Sequence, residues 1–421
     1  MVTAYDRLRS ERFLATRVGA GTFVSGGVRP RDPSGVTDSP LRPRPLWEEI
    51  PRGRDLSANE APYDLRPGIP DASRFPFPPW RARVSRQLRP RAVGKGAHVE
   101  AAGLPRLRQA IARHIGVARA VRATAADVFV TNGSQQALDL IGRVLLAPGD
   151  TVAVEDPGYP LARRAFQAHG LRVAPVPVDE EGLIVDAIPH GARLVYATPS
   201  HQYPLGMTMS MERRQGLLAW ARRADAAIVE DDYDSEFRYD GRPLEALHGL
   251  DGSGRVLYVG SFSKVMLPTL RLGFVVAPPS LHDAFRKAKA ITDWHTAVPL
   301  QAAAAEFIDD GLLAQHVRRM RRVYAERHER VVRILARDFG ERLTPLPSNG
   351  GLHLTALLPD SDLGYDVEVA RRAEDVGVAV LPLSYHYLAI PPRQGLLVGY
   401  GAVETGNLDE ALRRLGRCFD T

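Results

Sequence analysis

The sequence predicts an α/β protein: a large, mostly parallel sheet with helices on both faces, followed by a smaller C-terminal α+β domain. Three observations lead there. Between residues 103 and 311, helical stretches alternate with short apolar runs: Val128-Phe129-Val130, Val152-Ala153-Val154, Leu171 to Val178, Leu194 to Ala197, Ala226 to Val229, Val256 to Val259 and Leu272 to Val276. A strand wetted on one side alternates apolar and polar residues, whereas runs that are apolar throughout belong to strands covered on both faces. After about Leu312 a charged helical stretch, Val317 to Arg337, leads to apolar segments at Leu352-His353-Leu354 and Gly395 to Gly399, the signature of the smaller domain over 312–421. Finally, 421 residues with 44 % apolar and 25 % charged side chains suffice for one large core and one smaller one.

Residues 1–25 read as the end of a helix, with Val2, Tyr5 and Leu8 at helical spacing. A short strand Phe13 to Val18, a Gly19-Ala20-Gly21 turn and a second strand Thr22 to Ser25 follow. Two short strands and a stub of helix cannot bury a core, so this piece is a fragment of something larger. Residues 26–62 hold Pro30, Pro33, Pro40, Pro43, Pro45 and Pro51 and read as a Pro/Arg-rich linker. Residues 63–102 form an N-terminal arm and a segment of the smaller domain.

Composition narrows the function. The apolar runs fall well short of the roughly 20 residues that span a bilayer. The opening Met1-Val2-Thr3-Ala4-Tyr5-Asp6-Arg7 lacks the order of a secretion signal, so a cytoplasmic protein is expected. Cys418 is the single cysteine, which excludes an intrachain disulfide and a cysteine-rich metal site. The formal net charge of +6 is interrupted by acidic runs such as Glu230-Asp231-Asp232 and carries little information about partners. The run Arg318-Arg319-Met320-Arg321-Arg322 reads as the solvated side of a helix.

In an open α/β sheet, ligands sit beyond the C-terminal ends of the strands, so polar residues directly after apolar runs are the ones to inspect. After Val130 come Thr131-Asn132-Gly133-Ser134-Gln135-Gln136, where the free N–H groups of a helix start and the Ser134 hydroxyl can hold a phosphate; Ser134 as a plain helix cap is the competing reading. After Val154, Glu155-Asp156-Pro157-Gly158-Tyr159-Pro160 puts the Tyr159 ring at the sheet edge, to stack on a flat ligand or simply to pack in a loop. Thr198-Pro199-Ser200-His201-Gln202-Tyr203-Pro204-Leu205-Gly206 is a rigid turn after a strand; His201 has no partners at metal-ligand spacing.

The strand Ala226 to Val229 delivers Glu230-Asp231-Asp232-Tyr233. Three acids beside a buried strand are costly unless at least one meets a cation, and a protonated pyridine nitrogen is such a cation. Tyr233 then donates to a phenolic oxygen on the same ring. The strand Val256 to Val259 ends in Gly260-Ser261-Phe262-Ser263-Lys264, with Pro268 and Arg271 close behind. A partly desolvated lysine is a usable amine for a Schiff base, while Ser261 and Arg271 suit a phosphate monoester. The bland alternative is a surface lysine at a helix start.

These strings, Glu155 to Pro160, Thr198 to Pro204, Glu230 to Tyr239, and Ser261 to Lys264 with Pro268 and Leu270-Arg271-Leu272-Gly273, occur in the order found in one family. Over roughly residues 60 to 421 the chain resembles the aminotransferase-like domain of MocR-type regulators of the GntR family, a branch of the fold-type I, class I/II aminotransferases that bind pyridoxal 5'-phosphate (PLP). The resemblance implies that Lys264 carries the cofactor as an internal aldimine, that Asp231 pairs with its ring nitrogen and that Tyr233 donates to its phenolic oxygen. It implies Ser134, Gln135, Ser261 and Arg271 as the phosphate site, with Ser263 also binding the cofactor and Tyr159 stacked on the ring. It further implies a homodimer with active sites near the interface, and Gly68 to Pro70, with Ile69, on the substrate side together with His201.

Residues Ala4 to Leu8 and Gly19 to Val24 resemble the last helix and wing of a winged helix-turn-helix. The expectation is therefore either a chain truncated upstream or an enzyme that has lost its DNA-reading part, with DNA a partner only where a full N-terminal domain exists. Three departures matter. Leu397 stands where class I/II aminotransferases carry the arginine that binds the substrate carboxylate, with Arg393 nearby as a substitute. His98 stands where relatives have a tyrosine reaching the partner's cofactor phosphate. The asparagine common near the phenolic oxygen has no counterpart around Tyr203-Pro204. Transamination of an α-amino acid is the simplest function implied; the alternative is an effector domain that senses PLP or an amino acid with little or no turnover.

Overall fold

In the computed structural model the described residues are 2–25, 42–50, 61–94, 96–239, 245–359, 362–388 and 393–419. Contacts divide the chain into two units, Met1–Pro51 and Arg52–Thr421. In the first, the helix Val2–Ser10 precedes an antiparallel hairpin, Leu14–Arg17 with Gly21–Val24. Tyr5, Phe13 and Phe23 are 55 %, 43 % and 48 % exposed, so this piece has no core of its own, as its length requires. Most of the expected linker lies outside the described residues.

The second unit is built on an eight-stranded sheet. Its strand order is Val128–Thr131, Gly273–Val276, Val256–Ser261, Ala227–Asp232, Ala192–Ala197, Thr151–Asp156, Arg172–Asp179 and Gly182–Leu183. The run from Val256–Ser261 to Arg172–Asp179 is parallel; Gly273–Val276 and the short Gly182–Leu183 run against it. Each apolar run of the sequence is one of these strands.

The alternation of a pleated strand sorts their side chains onto two faces. Phe129, Val154, Tyr196, Val229, Val259 and Val275 pack under the helix Ser134–Leu145. On the other face Val130, Tyr258 and Phe274 join the core beneath Pro105–Arg119, and Ala153, Val195 and Ile228 join that beneath Met211–Ala224.

Farther along, the helix Leu312–Ile334 leads to a four-stranded antiparallel sheet, Thr344–Pro345, His353–Leu357, Gly395–Gly399 and Leu381–Pro382. Arg318, Arg319, Arg321 and Arg322 are exposed while Met320 between them is buried, so the basic run is the wet side of an amphipathic helix. The arm enters by pairing Tyr63–Asp64 with Val378–Ala379, and Asp71 is then locked by the fully buried Arg327 at 2.6 Å.

Candidate active site

Strand pleating decides which acid of the Glu230-Asp231-Asp232 series faces where. Asp231 lies on the Tyr196 face and accepts from the Tyr196 hydroxyl at 2.8 Å. Its other oxygen, Oδ1, is buried and meets no hydrogen-bond partner among the described residues. Burial pushes the Asp231 carboxyl up to about 7; the Tyr196 bond opposes that shift, and neighbouring Asp232 adds to it. Glu230 and Asp232 point the other way. Glu230 accepts the backbone N–H groups of Leu247 and His248 at 2.8 Å each. Asp232 accepts from Arg119 and from the Tyr258 hydroxyl, both at 2.7 Å.

Lys264 follows the adjacent strand Val256–Ser261, whose Val259 is the register partner of Asp231. Its amine donates to the Gly68 carbonyl at 2.6 Å. Burial depresses the Lys264 pKa, an effect that Asp234 and Asp231 partly offset. Gly68 sits at φ +75°, and a Cβ there would come within 2.6 Å of the lysine nitrogen, so only glycine leaves the amine in place. The sheet thus brings an acid with an open oxygen and an amine of weakened basicity to one end of two neighbouring strands.

Tyr233 is oriented by a buried pair. Its hydroxyl lies 2.9 Å from His201 Nδ1, which is also 3.0 Å from Asp234. The His201 and Tyr233 rings stack at 5.7 Å. Tyr203 stands edge-on to Tyr159 and to Tyr233 and contacts His386 at 3.1 Å.

The helix start after Val128–Thr131 lies close to Arg271. That guanidinium donates to the Asn132 carbonyl at 2.9 Å, and a Cβ on Gly133 would meet it at 2.7 Å. Gly133 is the helix cap and Ser134 the first helical residue, without a side-chain capping bond, so the plain-cap reading of Ser134 is not what the fold uses. Gln135 donates to the Tyr159 hydroxyl at 3.3 Å, and the Ser261 hydroxyl accepts from Ser263 N–H at 3.1 Å. Arg271 is itself at φ +49°, a strained backbone for a non-glycine residue of the kind found at binding sites.

Two predicted residues are not drawn in by contacts within the chain. His98 stacks on Trp294 at 4.7 Å and lies 3.4 Å from His295. Arg393 is exposed at the edge of its segment. Ile69 follows Gly68, with its carbonyl packed against Gly401. Leu397 lies in an apolar cluster with Leu205 and Leu383, packed against Tyr203. Beside it, His353 is pushed down to about 3 and His386 to about 4 by burial, so both imidazoles are neutral at ordinary pH. Sequence reasoning missed Tyr196, Asp234 and Arg119. Tyr196 carried a readable signal, a polar tip on an otherwise apolar strand.

A sheet of this order, with a lysine and an open acid on neighbouring strands, defines an aminotransferase fold, and the chain belongs to the family described as aminotransferase class I and II, which matches residues 78–415. Within it, the chain is an aminotransferase-like domain of the MocR type. It is 38 % identical over 426 aligned positions, spanning 100 % of itself and 85 % of the other protein, to the probable rhizopine catabolism regulatory protein MocR of Rhizobium meliloti. It is also 32 % identical to the 2-aminoadipate transaminase of Thermus thermophilus, over 84 % of this chain and 88 % of that one. Among solved structures, a kynurenine aminotransferase of Pyrococcus horikoshii in complex with PMP superposes with a TM-score of 0.79 at 29 % identity, covering 90 % of this chain and 95 % of that one. Relatives therefore include both enzymes and regulators, and the fold-type I expectation holds. No helix among the described residues is long and apolar enough to cross a membrane.

Proposed function

We propose that the group around Lys264 holds PLP and acts on the amine of an α-amino acid, most simply by transamination. One observation carries this reading: the buried, unpartnered Oδ1 of Asp231 beside a lysine whose amine is weakened by burial. A buried acid with an open oxygen is expensive unless a cationic or proton-bearing group fills it, and a pyridine nitrogen does so. Bound there, PLP supplies an electron sink for the pair left when a bond at the amine-bearing carbon breaks.

The chain's own residues have distinct tasks. Lys264 provides the nucleophilic amine that captures the aldehyde and afterwards carries a proton. Asp231, steadied by Tyr196, holds a proton on the ring nitrogen. The Tyr233 hydroxyl, fixed by His201 and Asp234, is the donor to the phenolic oxygen. Ser134, Gln135, Ser261 and Arg271 bind the phosphate, Ser263 helps hold the cofactor, and Tyr159 lies against the ring. His98 serves the partner's site in a homodimer, and Gly68, Ile69, His201 and Arg393 line the substrate side.

A second reading, a PLP- or amino-acid-sensing effector domain with little turnover, is favoured by Leu397. It sits among Leu205, Leu383 and Tyr203, where class I/II aminotransferases carry a carboxylate-binding arginine, and leaves that task to Arg393. In this reading residues 1–25 serve as the last helix and wing of a winged helix-turn-helix, joined by the 26–62 linker. The experiment is to load the purified protein with PLP, add a panel of amino acids and amines, and quantify pyridoxamine phosphate. Its formation with any donor supports the enzyme; spectral change without product supports amino-acid sensing; no response to any donor contradicts the enzyme and leaves PLP sensing, and failure to bind PLP at all contradicts both.

A further inference from the structure

On the side of the sheet that carries Asp232, a cleft of about 580 Å3 opens between the helices Pro105–Arg119 and Leu312–Ile334. Its volume is that of a small-molecule site. Part of the wall is apolar, formed by Val117, Ile308 and Val317. Val117 is 92 % exposed, an apolar side chain that folding leaves in water.

Most of the charges around this cleft are already balanced. Arg113 is held by Asp309 at 2.6 Å, Arg119 by Asp232 at 2.7 Å, and His114 lies 3.9 Å from Glu236. Arg318 and Arg321 differ: both line the cleft from one face of the Leu312–Ile334 helix, and among the described residues neither meets a carboxylate. Their spacing of three residues puts them on neighbouring positions of one helix face, so both guanidiniums can reach one anionic group. Arginine is weakly hydrated and matches carboxylate or phosphate with a planar fork. Two such forks beside an apolar wall select a ligand that is anionic at one end and apolar at the other.

We propose that this cleft is a binding site, separate from the Lys264 group, for a small organic anion with an apolar body. Arg318 and Arg321 hold its acid group, and Val117, Ile308 and Val317 hold the rest. The inner wall is Arg119, which also borders a narrow recess of about 20 Å3 lined by His201 and Asp234. A ligand in the cleft therefore lies against the guanidinium that neutralises Asp232.

The test uses the full chain and 1-anilinonaphthalene-8-sulfonate as probe, followed by fluorescence and calorimetry. Saturable binding near one site per chain is expected. The exposed double substitution Arg318→Glu/Arg321→Glu should weaken it about ten-fold or more, and the Lys double variant by less. Ala314→Trp, which fills the cleft from an exposed position, should abolish binding, and circular dichroism verifies that each variant is folded. Lys264→Ala should bind as the natural protein does, which separates this site from the cofactor reading. The proposal is overturned by no saturable binding, by a charge-reversed or Trp variant that binds unchanged, or by loss of binding in Lys264→Ala.

Discussion

The Lys264 amine donates to the Gly68 carbonyl at 2.6 Å, and a Cβ on Gly68 would stand 2.6 Å from the same nitrogen. Gly68→Ala therefore both strains the backbone, by about 1–2 kcal/mol, and pushes the amine aside. We expect a folded protein with a small drop in melting temperature and a marked loss of PLP capture, read by absorbance after dialysis. Undiminished capture would show that the Gly68 contact has no part in presenting the amine.

Tyr196→Phe removes the one side-chain hydrogen bond of Asp231 among the described residues. Leaving the carboxyl without a partner costs about 1–3 kcal/mol. Because the Tyr196 bond holds the Asp231 pKa down, its loss moves that pKa higher still. Urea midpoints of the cofactor-free variant should fall accordingly, and its PLP affinity with them.

The pH dependence of Asp231 has a definite sign. Its pKa in the folded protein is about 7, above the ordinary 3.8, so its stabilising contribution is complete below about pH 4 and is lost as pH rises through 7. Asn at this position has no such loss. Between about pH 4 and 7 the cofactor-free Asp231→Asn protein should gain on the natural one, by at most about 4 kcal/mol from Asp231 itself, and the difference should level off above that. Glu155 is also raised to about 7, chiefly by burial and in part by Asp231, so its pKa is lower in the variant and its own loss with rising pH is smaller there, a change of the same sign. Parallel melting curves across that range would contradict the assignment of the shift to Asp231.

Arg327 and Asp71 form a buried pair at 2.6 Å, and Arg327 also donates to the Gly401 carbonyl at 2.7 Å. Gly401 packs on the Ile69 carbonyl, so the pair anchors the segment that carries Gly68. Asp71→Asn should cost about 3–5 kcal/mol, because it strands a buried guanidinium. Amide exchange should accelerate first around residues 65–71; uniform acceleration over the whole chain would mean the pair acts on global stability alone.

The strands could be read in advance because burial on both faces writes itself into continuous apolar runs such as Val256 to Val259. Lys264 and Asp231 could be read because each follows such a run at a strand's C-terminal end. Their local partners could not. Gly68 reaches Lys264 across 196 positions and Asp71 reaches Arg327 across 256, and no periodicity encodes pairings of that range. The pleat could have singled out Asp231 from its neighbours, since alternate residues face alternate sides, but only once the face occupied by Tyr196 was known.

If Lys264 bonds the cofactor, labelling should single it out among the chain's four lysines, Lys95, Lys264, Lys287 and Lys289. Protein incubated with PLP, reduced with borohydride and mapped by peptide mass spectrometry should carry one phosphopyridoxyl group, on Lys264, and Lys264→Ala should carry none. Labelling that is absent, or that falls on the other lysines and persists in Lys264→Ala, would contradict the account.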